Sequence, residues 1–540
     1  MITLQTALLL GLACGFWKSC MFYSIGGINI NTVIFNAVFV GLITGHMTEA
    51  MIIGASLQLI YLGVVAAGGN QPADPCLASY VSIPIAIASG LDTNAAVALA
   101  VPVGLLGAQV TNLVYMINGF FVEKATVEAK QGNAKAVKVW GLVVPWVIRT
   151  LLVAIPVAAA DYFGGAALAG VTDNIPQWLT NGLSAMGACL PAVGFAIITN
   201  LIAKPKVIPF FFAGFFLVQY TGLATIPLLL LGAFLTFLYV TFMMHGSKAP
   251  DEDDDDDEDE DDEEETGEKL LSTKDVFKAW TSWWVWSEVG HSFVRMMAPA
   301  FCNAMVPALK KFYTEQEKDP NYCEALDREL TFFNSEAHFG GGPCLGLALA
   351  MEEAKSKDAS AIPGEVITDL KTGLMGPLSG IGDTITWSTL MYLLIGLFLP
   401  AAQAGNVIGG IGPVVCFTAI LFPLGFFLTK KCYDLGYSFV ENMMKSGLID
   451  VVIMAASVLG LFMMGGLAAT YVTVSTPIAW TVAGATTELQ VILDTILPGV
   501  LPLLTVLGVW GFLRKNRNYF LAAILVTVIS LVLGALGVII

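Results

Sequence analysis

The chain has 540 residues, 56% of them hydrophobic and only 13% charged, and its mean hydropathy is +0.74. Such a composition belongs to a polytopic membrane protein. The net charge of −17 is concentrated in residues 251–265, DEDDDDDEDEDDEEE, which carry 15 of the negative charges and leave −2 for the rest. The absence of a basic stripe argues against nucleic acid as a partner. Nine scattered cysteines without a CxxC pair, and four widely spaced histidines, argue against a disulfide framework or a metal site. No cofactor is expected.

In the first half, no positively charged segment precedes the opening apolar run, so no cleavable signal peptide is expected. Glu49 to Asp74, EAMIIGASLQLIYLGVVAAGGNQPAD, places Gln58 inside an apolar helical run. Gly68-Gly69-Asn70-Gln71-Pro72 then breaks that run before Asp74. Polar side chains in a membrane tract face a bundle interior or a water-filled path. Amides and carboxylates can bridge neighbouring sugar hydroxyls. The competing reading makes Gln58 a brace between two helices and Asn70-Gln71 a turn. The Lys-rich segment 123–138 is placed in the cytoplasm by the positive-inside rule. Val207–Ser247 exceeds one span and is expected to hold two helices divided at Tyr220-Thr221-Gly222.

GASLQLIYLG, a Gly-rich turn and PADP, together with ALAVPVGLLGAQV, TNGL and PFFFAGF, resemble the IIC component of the mannose-family sugar phosphotransferase system. The resemblance runs from about residue 4 to 245. PADP stands where relatives often carry PPD or PPN, a departure that bears on the role of Asp74.

Fifteen consecutive acids repel one another and stay solvated, so 247–268 is expected to be a disordered tether acting as a passive spacer. Beyond it, Val276–Trp286 holds four tryptophans and is expected to lie in the membrane interface. Glu352-Glu353 followed by Lys355 and Lys357 reads as an exposed helix face.

Gly373–Trp387, GLMGPLSGIGDTITW, combines four glycines, a proline and Asp383 at the start of a long apolar tract. A charge at the bilayer centre costs about 2.5–3.5 kcal/mol on insertion scales. One reading is a broken or re-entrant segment lining a polar cavity, because freed backbone groups at that depth must face protein or water. The other is a loop at the membrane surface with Asp383 capping the next helix. Trp387, four residues on, can share a helical face with Asp383; it either receives the apolar face of a sugar or packs in the core. Asn334, just before His338 and a glycine run, again sets a polar group beside a break. Thr384–Thr429 is long enough for two spans around Gln403-Ala404-Gly405-Asn406, and Asn518–Ile540 for one more.

SFVRMMAPAFCNAMVPALKKFY, RELTFFNSEAHFGGGPCLGLALAMEE, GLMGPLSGIGDTITW and QVILDTILPGVLPLL resemble, in order and spacing, the IID component of the same family over about residues 272–540. IIC and IID are commonly separate chains, so this sequence resembles their fusion. The pattern departs from relatives at Glu336 and His338.

The expected fold is an all-α polytopic membrane protein. It has a IIC-like unit at 1–246, the acidic linker at 247–268 and a IID-like unit at 269–540, interfacial to about 372. The resemblance implies a bacterial cytoplasmic-membrane permease, forming a homotrimer in lipid, that binds and translocates a hexose. A phosphohistidine on a separate IIB protein, recharged by IIA, then phosphorylates that hexose. No histidine of this chain stands out as a phosphoryl carrier, and no catalytic or metal-ligating residue is assigned. The expected sugar contacts are Gln58, Asn70, Gln71 and Asp74 from the first unit, and Asn334, Asp383 and Trp387 from the second. Two other classes compete: a cation-coupled sugar symporter with a proton-carrying intramembrane Asp, and a non-transporting sugar receptor.

Overall fold

The computed structural model describes residues 2–540 except 62–72, 165–177, 246–268, 314–318, 359–361 and scattered positions of one or two residues. Asn70, Gln71 and the acidic tract therefore lie outside the described residues. The first half forms α1 (Leu4–Lys18), α2 (Tyr23–Asn31), α3 (Val33–Thr44), α4 (Met47–Tyr61), α5 (Pro75–Ser89) and α6 (Thr93–Lys130). It continues through α7 (Ala134–Phe163), α8 (Pro191–Ile202), α9 (Ile208–Thr221) and α10 (Thr225–His245). The second half opens with α11 (Thr273–Trp286), α12 (Ala298–Phe312), α13 (Pro320–Glu329) and α14 (Gly342–Lys357), followed by α15 (Gly364–Gln403), α16 (Ile408–Ser446) and α17 (Ile449–Tyr471). A hairpin of β1 (Ala479–Val482) and β2 (Ala485–Glu488), with Trp480 opposite Thr487, precedes α18 (Leu489–Ile496), α19 (Val500–Asn516) and α20 (Tyr519–Ala535).

α7, α15 and α16 are each long and apolar enough to cross a bilayer. Two further apolar pairs are sharply bent, α1–α2 by 118° and α18–α19 by 76°. The protein is a multi-pass, nearly all-helical membrane protein with broken helices. The α1–α2 bend is made by Cys20 and Phe22, which adopt φ of 60° and 59°. The expected divisions are present: α9 ends before Gly222 (φ 63°), and α15 gives way to α16 after Gln403.

The sequence halves interlock. One core joins Leu10, Val33, Met51 and Tyr80 of the first half to Met391, Leu394, Phe417 and Leu421 of the second. Another joins Val114, Ala125 and Phe211 to Trp280, Phe301 and Met464. Without an apolar-versus-water contrast to drive association in lipid, helices gain from close backbone approach at small residues. α9 and α17 do this at Gly214, where a Cβ would stand 1.9 Å from the Phe462 carbonyl oxygen.

Two local expectations, for Gly373–Trp387 and for Glu352-Glu353, are corrected. Gly373–Trp387 neither breaks the chain nor forms a loop: it lies within continuous helix α15, which relaxes into a π-helical stretch over Asp383–Leu390. Its glycines serve contact, since a Cβ on Gly376 would meet Met464 Cε at 2.1 Å. Trp280 and Trp283 of α11 are enclosed by protein, and the Trp283 indole donates to the Ala337 carbonyl at 2.9 Å. Their rings pack on Phe422, Phe301 and Phe333. Glu352 and Glu353 are buried: Arg328 donates to Glu352 at 2.8 and 3.1 Å, and Glu353 accepts from the Tyr433 hydroxyl and the Leu270 N–H.

Candidate functional site

A cavity of about 180 Å³ opens where α2, α6, α7, α15 and α17 meet the segments around Glu288 and Asn334. It has room for several waters or one small polar solute. α15 supplies Asp383 and Trp387 from its π-helical stretch, an unusual geometry that recurs at functional sites. Asp383 Oδ2 accepts from the Ser379 hydroxyl at a long 3.4 Å, one turn earlier on the same wall. Trp387 meets Tyr23 edge-on at 5.5 Å between ring centroids and leans on Phe417 at 5.4 Å. Its position is set by protein, while part of the ring faces the cavity.

Asn334 enters on the extended segment before the π-helical turn Ala337–Gly341. Its backbone N–H is spent on the Met375 sulfur at 2.9 Å, leaving the side-chain amide without a protein partner among the described residues. An open amide, a lightly bonded carboxylate and an aromatic ring thus converge on one space.

The facing wall is charged. Arg149, 2% exposed in the middle of α7, donates to the Glu288 carbonyl at 3.2 Å and lies 5.7 Å from the Tyr115 ring centroid. His291 stacks on the same Tyr115 ring at 4.8 Å, and its Nδ1 hydrogen-bonds the Glu288 carboxylate. Asn118 of α6 holds the His291 carbonyl at 2.8 Å. Burial alone would raise the Glu288 pKa, but the His291 ring and the Arg149 guanidinium outweigh it and hold the carboxyl below its ordinary value. First-half helices thereby fasten a second-half segment into the cavity wall.

Of the seven residues expected to contact a sugar, Asn334, Asp383 and Trp387 line this cavity together. Gln58 and Asp74 lie elsewhere. Gln58 braces the α2–α3 junction, accepting from the Ile34 N–H at 3.4 Å and donating to the Asn31 carbonyl at 3.2 Å. Asp74 caps α5 through the Leu77 N–H at 3.0 Å and pairs with Lys18 at 2.7 Å, both side chains being buried. Asn70 and Gln71 are outside the described residues. Sequence reasoning missed Arg149, Glu288, His291 and Tyr115. Only Arg149 carried a signal, as the one charge between residues 139 and 160 of an apolar span.

Comparison with known families adds two matches. Residues 270–539 match the model described as "PTS system mannose/fructose/sorbose family IID component", and residues 4–238 the one described as "PTS system sorbose-specific iic component". The PTS system mannose-specific EIID component of Escherichia coli (strain K12) is 34% identical over 233 residues, 42% of this chain and 81% of the relative. The Fructose permease IID component of Bacillus subtilis (strain 168) is 35% identical over 268 residues, 46% of this chain and 91% of the relative. In the first half, the PTS system mannose-specific EIIC component of Escherichia coli (strain K12) is 32% identical over 202 residues, 37% of this chain and 76% of the relative.

Proposed function

Because the chain belongs to the mannose/fructose/sorbose family of the phosphotransferase system, with IIC and IID permease components in one polypeptide, we propose that it binds a hexose in the cavity bounded by Asn334, Asp383 and Trp387. It carries that hexose across the bacterial cytoplasmic membrane and presents it to a separate IIB protein. At the cytoplasmic face the P–N bond of the IIB phosphohistidine breaks as a sugar hydroxyl forms the new O–P bond. IIA recharges IIB, and the permease works as a homotrimer. Its own share of the chemistry is to hold the sugar in reach and exclude water.

The supporting observation is the convergence of the open Asn334 amide, the Asp383 carboxylate and the Trp387 ring on one cavity. Hydroxyls meet the amide and the acid, and the apolar face of the sugar meets the ring. Gln58 and Asp74 act by bracing the frame; Asn70 and Gln71 remain proposed contacts from the first half.

Uptake into membrane vesicles tests the reading. Phosphoenolpyruvate-dependent uptake in the presence of IIA and IIB, with sugar phosphate as product, is expected. Uptake of unmodified sugar driven by an ion gradient overturns it. Asp383→Asn is expected to weaken hexose binding about tenfold in a folded protein, the cost of a hydrogen bond to a charged group.

A further inference from the structure

Ser24, His338 and Glu336 form a buried hydrogen-bonded row to which the transport reading assigns no task. Glu336 Oε1 meets His338 Nδ1 at 2.7 Å, and Oε2 accepts from the backbone N–H groups of His338 at 2.9 Å and Phe339 at 2.6 Å. An acceptor-only carboxylate places a proton on Nδ1, and in the neutral ring Nε2 is then an acceptor. The Ser24 hydroxyl then donates to Nε2 at 2.7 Å, and its oxygen accepts from the Trp284 indole N–H at 2.9 Å. Every donor in the row has an acceptor.

The order Ser–His–Glu is that of hydrolytic triads. Ser24 is fully buried and does not line the cavity, so no substrate reaches its hydroxyl. The row's significance is its placement. Ser24 lies on α2 between Tyr23 and Gly27, which line the cavity from the first half. Glu336 lines the same cavity from the second half, two residues after Asn334. The row ties one wall to the other.

We propose that Ser24 and His338 are positioning residues that fix the width of the cavity, and thereby its affinity for hexose. The proposal rests on the hexose reading given above. Neither side chain touches the sugar; each acts through Glu336, Tyr23 and the walls they hold.

The test uses the full chain in vesicles with IIA and IIB, and the purified chain for spectroscopy. Ser24→Ala is expected to raise KM for hexose about 3–10-fold, the range of one lost hydrogen bond, with kcat little changed. Ser24→Thr, which keeps the hydroxyl, should recover most of that rise. Trp284→Phe removes the outer donor, keeps an aromatic ring against Phe22 and Phe422, and is expected to give a smaller change in the same direction, which keeps the test open if Ser24→Ala does not fold. In 15N-histidine spectra, the signal that His338→Gln removes should show an unprotonated Nε2 and should move in Ser24→Ala. Folded variants with unchanged KM overturn the proposal, as does a rise in KM that Ser24→Thr does not reverse. A wild-type chain that takes up no hexose overturns the transport reading instead, while the histidine spectrum still decides whether the row exists.

Discussion

Trp387 occupies the space that a side chain at Gly27 would need: a Cβ on Gly27 would stand 2.6 Å from Cη2 of the indole. The residues come from opposite halves of the sequence, and both line the cavity. Gly27→Ala is expected to push the ring into the cavity, lowering hexose affinity and costing about 1–3 kcal/mol of stability through overpacking. Pairing it with Trp387→Phe, a smaller ring, should restore the melting midpoint without restoring affinity. Binding and thermal melts of the two variants check this, and an unaltered affinity in Gly27→Ala counts against Trp387 as a sugar platform.

Lys18 and Asp74 pair at 2.7 Å with side chains only 2% and 0% exposed. Removing one partner of a buried pair costs about 3–5 kcal/mol, whereas replacing both with apolar groups costs far less. Lys18→Met should therefore destabilise more than Lys18→Met combined with Asp74→Leu, although the double variant also loses the α5 cap. Melting midpoints in detergent decide it; additive losses would show that the pair contributes little. An Asp74 variant that kept its midpoint yet lost hexose affinity would return Asp74 to the sugar.

Asp275 closes a capping box at the start of α11, exchanging hydrogen bonds with Ser272, and pairs with Lys311 at 2.7 Å. Partial burial pushes its pKa up, but the hydrogen bonds from Lys311 and Ser272 prevail and bring it down to about 2. A carboxyl whose folded pKa is depressed adds stability above its unfolded value, about 3.9, and loses it as pH falls through the folded one. Asp275→Asn should thus lower the melting midpoint at pH 6, with the gap to wild type closing between about pH 4 and pH 2. A gap independent of pH would assign the effect to the cap alone.

Asp161 sits in the last turn of α7, 1% exposed, and neither carboxyl oxygen has a hydrogen-bond partner among the described residues. A buried polar group without a partner is costly in either protonation state, and the carbonyl end of a helix disfavours negative charge. Asp161→Leu is accordingly expected to stabilise the protein by about 1–3 kcal/mol, read as a higher melting midpoint. A lower midpoint, or lost uptake at an unchanged one, would mean that the acid is kept for a task.

The helices were legible from apolar run lengths and from the turn residues between them, as at Gly222 and after Gln403. Asp383, Asn334 and Trp387 were legible because polar or amphipathic side chains in apolar sequence must be explained by something polar nearby. The same reasoning marked Gln58 and Asp74, whose partners in the structure are the Ile34 N–H, the Asn31 carbonyl, the Leu77 N–H and Lys18. A one-dimensional pattern marks a polar residue as accounted for without revealing by what. Glu288 and His291 were invisible because their importance arises from Arg149 and Tyr115, far away in the chain. Glycines in Gly373–Trp387 suggested a chain break; contact with α17 explains Gly376 better, and a pattern of small residues does not distinguish the two.

The shared cores have a consequence for synthesis. Met391, Leu394, Phe417 and Leu421 complete a core begun by Leu10 and Val33, so the earlier helices enter the bilayer before their partners exist. At about 5–20 residues per second, the ribosome needs roughly 10–35 s to travel from residue 245 to residue 421. During that interval the newborn helices have only lipid, insertion machinery and one another to shield their unmatched surfaces. Joining the two components on one message caps that wait and delivers them in equal number, which separately translated subunits must achieve by chance encounter.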